Sequence, residues 1–144
     1  MENPLKTIIV DDESLARRGL KHRLKDVADV AIIAEAGNGR EALKLIREHD
    51  PDLVFLDIQM PGMDGFDVLR ALPPGDMPAI VFVTAFDDYA IKAFEAHALD
   101  YLLKPIEDSR LAQALYRVRQ QQAERQAETH CARLLNLLGE LSGR

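Results

Sequence analysis

Five short apolar runs, Lys6 to Val10, Val30 to Ala34, Leu53 to Leu56, Ala79 to Val83 and Tyr101 to Leu103, are separated in every case by a segment long enough for a helix. Runs that are apolar at nearly every position suit strands covered on both faces, the situation of a parallel sheet. The intervening segments carry helical spacing. Ser14 is placed to cap a helix bearing Leu15, Leu20 and Leu24, Asn38-Gly39 opens one bearing Ala42, Leu43 and Ile46, and Asp64-Gly65 precedes Phe66, Val68 and Leu69. Further helices are predicted from Asp87 to His97 and from near Glu107 onward. This alternation predicts an α/β fold: a doubly wound, flavodoxin-like five-stranded parallel sheet of order 2-1-3-4-5, with right-handed crossovers and helices on both faces.

The last helical stretch is longer than such a sheet needs. Leu111, Leu115 and Val118 suit packing on the sheet, but Gln120 to Thr129 is mostly polar. Cys131, Leu134, Leu138 and Leu141 then recur at spacings of 3, 4 and 3, the seam of a coiled coil or of a docking helix. The seam covers less than two heptads, and a frayed linker is equally compatible with it. Residues 1–118 are therefore expected to form one domain and 119–144 a helical linker, with the Gly143-Arg144 end reading as a truncation point.

Composition bounds the function. With 144 residues, 47% hydrophobic and 29% charged, the chain can bury one core, which excludes a disordered class. No apolar run reaches the roughly 20 residues of a membrane helix, and the N-terminus lacks a signal-peptide pattern, so a cytoplasmic address and no membrane contact are expected. Cys131 has no second cysteine to pair with, and His22, His49, His97 and His130 lack zinc-ligand spacing. Residues 1–108 hold 12 basic and 21 acidic side chains, a net −9, whereas residues 109–144 hold 6 and 3, a net +3. An acidic body repels nucleic-acid phosphates, so DNA contact is expected only through some further domain.

Parallel sheets bind ligands beyond the carboxyl ends of their strands. In the predicted order, Asp11-Asp12-Glu13, Asp57, Thr84 and Lys104-Pro105 follow or end neighbouring strands, so their side chains converge on one rim. Taken singly each is ordinary: an acidic triplet is more often a solvated helix start, a strand-end threonine is commonly nothing more, and Lys-Pro is a common loop. Together they describe a chemistry. Converging carboxylates repel, and Mg²⁺, which takes oxygen ligands and keeps open positions, is the simplest neutraliser. A lysine and a hydroxyl then complete an electrostatic clamp for a transferring phosphoryl group.

These motifs, Ile9-Val10-Asp11-Asp12-Glu13, Leu56-Asp57 through Met60-Pro61-Gly62-Met63-Asp64-Gly65, Val83-Thr84-Ala85 and Asp100-Tyr101-Leu102-Leu103-Lys104-Pro105, resemble those of receiver domains of bacterial two-component response regulators, from about Lys6 to Val118. The resemblance implies that Asp57 accepts a phosphoryl group from a sensor histidine kinase. It implies that Asp11, Asp12, Asp57 and the backbone carbonyl of Gln59 bind Mg²⁺, and that Thr84 and Lys104 hold the phosphoryl oxygens. Tyr101 is the implied aromatic switch, and Lys104-Pro105 an implied cis peptide. The stretch from Phe86 to Ala96 is similar to receivers of the LytR/AlgR type, which continue into a LytTR DNA-binding domain too large for residues 119–144.

The expected function is thus a phosphorylation-controlled switch for a transcriptional output domain, not an enzyme beyond self-catalysed phosphotransfer and dephosphorylation. Gln59 and Phe86 are expected to set the lifetime of the phosphorylated state. A homodimer through the fourth helix, fifth strand and fifth helix, a face carrying Ile91, Phe94 and Tyr101, is the expected output. A stand-alone receiver acting by protein contact is the alternative. A phosphohydrolase of the haloacid-dehalogenase type uses a similar aspartate, but needs an acid/base aspartate two residues on, where Gln59 stands. A nucleotide site at Gly37-Asn38-Gly39 lacks the third glycine of a phosphate-binding loop and follows the second strand.

Overall fold

The computed structural model describes residues 3–75 and 77–142, with the side chains of Leu141 and Ser142 and the Gly143-Arg144 end outside the described part. Its elements alternate: β1 (Leu5–Val10), α1 (Ser14–Leu24), β2 (Val30–Ala36), α2 (Gly39–His49), β3 (Leu53–Leu56), α3 (Gly65–Ala71), β4 (Ala79–Thr84), α4 (Ala90–Glu95), β5 (Asp100–Leu103) and α5 (Asp108–Ser142). The sheet runs β2-β1-β3-β4-β5 with every pair parallel, the predicted order.

Period-two alternation divides each buried strand between two cores. Ile8, Val10, Val54, Leu56, Ile80 and Phe82 face α2 and α3, where Leu43, Ile46, Phe66 and Val68 meet them. Leu5, Ile9, Leu53, Phe55, Val81 and Val83 face α1 and α5, against Leu20, Leu24, Leu111, Ala114 and Val118. The edge pairing of β1 with β2 slips between Thr7 and Ile8, which pair with Ile32 and Ala34, and the skipped Ile33 is left 36% exposed.

Helix ends follow local chemistry, with two departures from expectation. Asn38 caps α2 by accepting the Glu41 N–H at 2.9 Å, and Asp64 with Asp67 closes a reciprocal capping box on α3. Ser14, expected as a cap, is instead the first residue of α1; Glu13 stands before it with no side-chain cap. The fourth helix, expected from Asp87 to His97, is only Ala90–Glu95. Tyr89 sits at ψ 2° outside helical geometry, and His97 turns left-handed at φ 69°, ending the helix. The last helix, α5, runs on past Val118 through the stretch expected as a helical linker, as one helix of 35 residues.

Candidate functional site

The sheet itself aims the site. Beyond the strand ends the ladder continues for one more residue: Asp11 N–H donates to the Ala36 carbonyl at 3.1 Å, Asp57 N–H to Val10 at 3.0 Å and Lys104 N–H to Thr84 at 2.9 Å. Asp11, Asp57 and Lys104 are thereby fixed at their Cα atoms by backbone bonds, and Thr84 is the last residue of β4. The loop after β3 folds back tightly, with Gly65 N–H donating to the Ile58 carbonyl at 2.8 Å. A Cβ at Gly65 would lie 2.6 Å from the Asp57 carbonyl oxygen, so only glycine allows α3 to begin this close to the aspartate.

One carboxylate oxygen from each of Asp11, Asp12 and Asp57 lies within 4.8 Å of the others. Asp11 and Asp57 are buried, and Asp12 is exposed. Lys104 Nζ reaches both buried carboxylates, at 2.7 Å from Asp11 Oδ2 and 3.4 Å from Asp57 Oδ2. The remaining oxygens are partly occupied by backbone: Asp11 Oδ1 accepts from Glu13 N–H at 2.9 Å and Asp57 Oδ1 from Gln59 N–H at 3.3 Å.

Burial pushes the Asp57 carboxyl above the usual carboxylate range; the Lys104 charge opposes this and the Asp11 charge adds to it. Burial also works against the Lys104 charge, but the Asp11 hydrogen bond and the Asp57 carboxylate outweigh it and hold the ammonium above its ordinary value. Three carboxylates against one lysine leave negative charge unbalanced. All the donors are hard oxygens, and the exposed Asp12 leaves one side open, a set that fits an octahedral divalent cation better than a thiol- or imidazole-seeking metal. Beside Asp12 lies a hollow of about 610 Å³ bordered by Gln59, Tyr89 and Lys92.

Thr84 is fully buried, and its Oγ1 accepts from Phe86 N–H at 3.4 Å. The Tyr101 ring is buried and its hydroxyl donates to the Phe86 carbonyl, so the Phe86 backbone is shared between threonine and tyrosine. Burial raises the Tyr101 hydroxyl above its usual range. The Lys104-Pro105 peptide is cis.

Sequence reasoning overlooked two side chains here. Arg17, one turn into α1, donates from Nη1 to the Asp11 carbonyl at 2.7 Å and from Nε to Glu35 on β2 at 3.1 Å. Tyr89 accepts from Gln59 Nε2 at 3.1 Å, which engages the amide beside the aspartate. Neither spacing is distinctive in a sequence, because the bonds join residues 18 and 30 positions apart.

Comparison with known proteins gives this geometry a context. Residues 7–116 match the family described as the response regulator receiver domain. The transcriptional regulatory protein BtsR of Salmonella typhi is 50% identical over 120 residues, covering 83% of this chain and 50% of that protein. An uncharacterized response regulatory protein of Shewanella oneidensis is 53% identical over 112 residues, 78% of this chain and 48% of its own length. The chain thus spans about half the length of the curated relatives it matches. The solved response regulatory domain of protein mrkE from Klebsiella pneumoniae superposes with a TM-score of 0.74 at 32% identity, over 83% of this chain and 99% of that one. The receiver domain of AraT, a response regulator from Geobacillus stearothermophilus, does so with a TM-score of 0.74 at 31% identity, over 85% and 98%. With its sheet order, its strand-end acids and lysine, and a match over most of its length, the chain belongs to the response regulator receiver domain family.

Proposed function

We propose that the chain is a phosphorylation-controlled switch in which Asp57 takes a phosphoryl group from a sensor histidine kinase. The observation that carries this reading is Lys104 Nζ standing between the Asp11 and Asp57 carboxylates at the ends of three different strands. An Asp57 oxygen attacks phosphorus in line; the new O–P bond forms as the phosphorus bond to the donor nitrogen breaks, and no proton need leave the carboxylate. Lys104 and Thr84 hold the oxygens of the transferring group. Asp11, Asp12, Asp57 and the Gln59 carbonyl are the residues that would hold Mg²⁺, which when bound would supply positive charge against the oxygens of the transferring phosphoryl group. Water later breaks the acyl phosphate, returning carboxylate and inorganic phosphate. Gln59 and Phe86 border the path of that water.

The added charge of about −1.5 to −2 draws Thr84 and Lys104 inward. Because Thr84 and Tyr101 share the Phe86 backbone, movement at Thr84 is felt at Tyr101. In this reading residues 1–118 are the receiver and 119–144 the linker to an output domain, of LytTR type by the resemblance of Phe86 to Ala96. The relatives named as transcriptional regulatory proteins, of which this chain covers about half, support a DNA-binding output. The haloacid-dehalogenase reading is disfavoured by Gln59, whose amide is bonded to Tyr89 rather than placed as an acid.

Incubation with acetyl phosphate and Mg²⁺, read by intact mass, tests the proposal. One phosphoryl group is expected, absent with EDTA and absent in Asp57→Asn; its persistence in that variant overturns the site.

A further inference from the structure

The lifetime of a phosphorylated aspartate depends on what stands between it and water. Gln59 and Phe86 border that approach from two separate loops, Gln59 after β3 and Phe86 after β4. Gln59 is tied to the reacting carboxylate by its backbone, whose N–H donates to Asp57 Oδ1 at 3.3 Å. Both residues are exposed, and an exposed glutamine samples many rotamers unless something holds it.

Tyr89 touches both. Its hydroxyl accepts from Gln59 Nε2 at 3.1 Å, and its ring meets the Phe86 ring edge-on, with 6.3 Å between centroids. Its remaining contacts fix the phenol in place. The ring packs against buried Phe66 at 6.1 Å, and the Tyr89 carbonyl accepts the Ala93 N–H at 2.8 Å, the bond that starts α4. The hydroxyl is thus presented to Gln59 from a packed base, beside the hollow that Asp12, Gln59, Phe66 and Tyr89 all line. An amide is planar, so holding its nitrogen holds its carbonyl oxygen as well.

We propose that Tyr89 is a positioning residue that straps the Gln59 amide toward Phe86, across the approach of the hydrolytic water, and so prolongs the phosphorylated state of Asp57. This role rests on the phosphorylation reading and adds the regulation of that same site. In hydrolysis the water oxygen bonds to phosphorus as the phosphorus bond to the Asp57 oxygen breaks; aspartate leaves as carboxylate, and both water protons leave with inorganic phosphate. The water has to arrive in line with the breaking bond. A free Gln59 amide can turn its carbonyl oxygen to orient that water, whereas one held on Tyr89 narrows the gap to Phe86 instead.

Tyr89→Phe removes the hydroxyl and keeps the ring, and Gln59→Ala removes the amide and keeps the backbone carbonyl. Each protein is phosphorylated with acetyl phosphate and Mg²⁺, freed of the donor, and followed by intact mass. Loss of the phosphoryl group is expected to be about three- to tenfold faster in Tyr89→Phe, the worth of one neutral hydrogen bond. In a Gln59→Ala background Tyr89→Phe is expected to add nothing, because the two groups act as one. In the unphosphorylated protein the Gln59 side-chain amide resonances, assigned by their loss in Gln59→Ala, are expected to move toward those of a free amide in Tyr89→Phe. An unchanged or slower decay in Tyr89→Phe, the same acceleration in the Gln59→Ala background, or an unmoved Gln59 amide overturns the strap alone. A wild type that gains no phosphoryl mass overturns the phosphorylation reading and the role of Tyr89 together.

Discussion

Glu35 shows how far the site reaches beyond its acids. Its carboxylate takes Lys21 at 2.6 Å and Arg17 at 3.1 Å, and Arg17 in turn holds the Asp11 carbonyl. The Lys21 hydrogen bond, and then that from Arg17, keep the Glu35 carboxyl below the usual range despite some burial. A folded-state pKa below the unfolded one means stabilisation that is complete above the ordinary carboxylate range and lost as pH falls through the folded value. Glu35→Gln is expected to lower stability at pH 7 by ~0.5–1 kcal/mol, a size set by its partial exposure, with the difference vanishing in acid; urea titrations across pH check it. Asp12→Ala is expected to weaken Mg²⁺ binding far more than Glu13→Ala, since Asp12 offers an oxygen to the cluster and Glu13 contributes a backbone N–H to Asp11; equal metal titrations contradict this. The strand-end residues were legible because an apolar run has to stop where its strand leaves the core. Arg17 and Glu35 were not, because their meeting depends on the β1–β2 pairing and its slip at Ile33, which no local pattern encodes.

At the scale of elements, strands were read more truly than helix ends. A buried strand is dictated by a run of apolar residues, and β3 matches its predicted bounds. The ends of α1 and α4 depend on backbone angles at Glu13, Tyr89 and His97, which several residue types tolerate. The two glycines Gly19 and Gly65 separate helix propensity from close approach. A Cβ at Gly19, inside α1, meets nothing within 4 Å, while one at Gly65 meets the Asp57 carbonyl and the Phe82 ring at 2.6 and 2.9 Å. Gly19→Ala is expected to stabilise the fold by up to ~1 kcal/mol through helix propensity. Gly65→Ala is expected to destabilise it by ~1–3 kcal/mol and to disturb the site, since backbone has to move. Denaturant midpoints read both, and a neutral Gly65→Ala refutes the claim that α3 is pinned to Asp57.

The whole molecule carries its chemistry at one end of the sheet and most of its exposed large apolar residues on α4 and α5. Ile91 and Phe94 are 77% and 50% exposed on α4, so neither is part of the core beneath it. They flank β5, where buried Asp100 meets Arg110 at 3.1 Å and Arg117 at 3.7 Å on α5, so β5 and α5 are coupled by ion pairs as well as packing. Tyr101 lies within the face, and its hydroxyl bond to the Phe86 carbonyl crosses from β5 to the loop that precedes α4. A displacement of Thr84 toward a phosphoryl group therefore changes the loop entering α4 before it changes anything on α1 or α2. Phosphorylation is expected to strengthen association through this face. In sedimentation runs with and without acetyl phosphate and Mg²⁺, Ile91→Ser with Phe94→Ser is expected to abolish the phosphorylation-dependent gain while leaving the phosphorylated mass unchanged. An undiminished gain in that double variant removes the α4–β5–α5 face from the output, because the substituted positions are exposed and their loss cannot act through the fold.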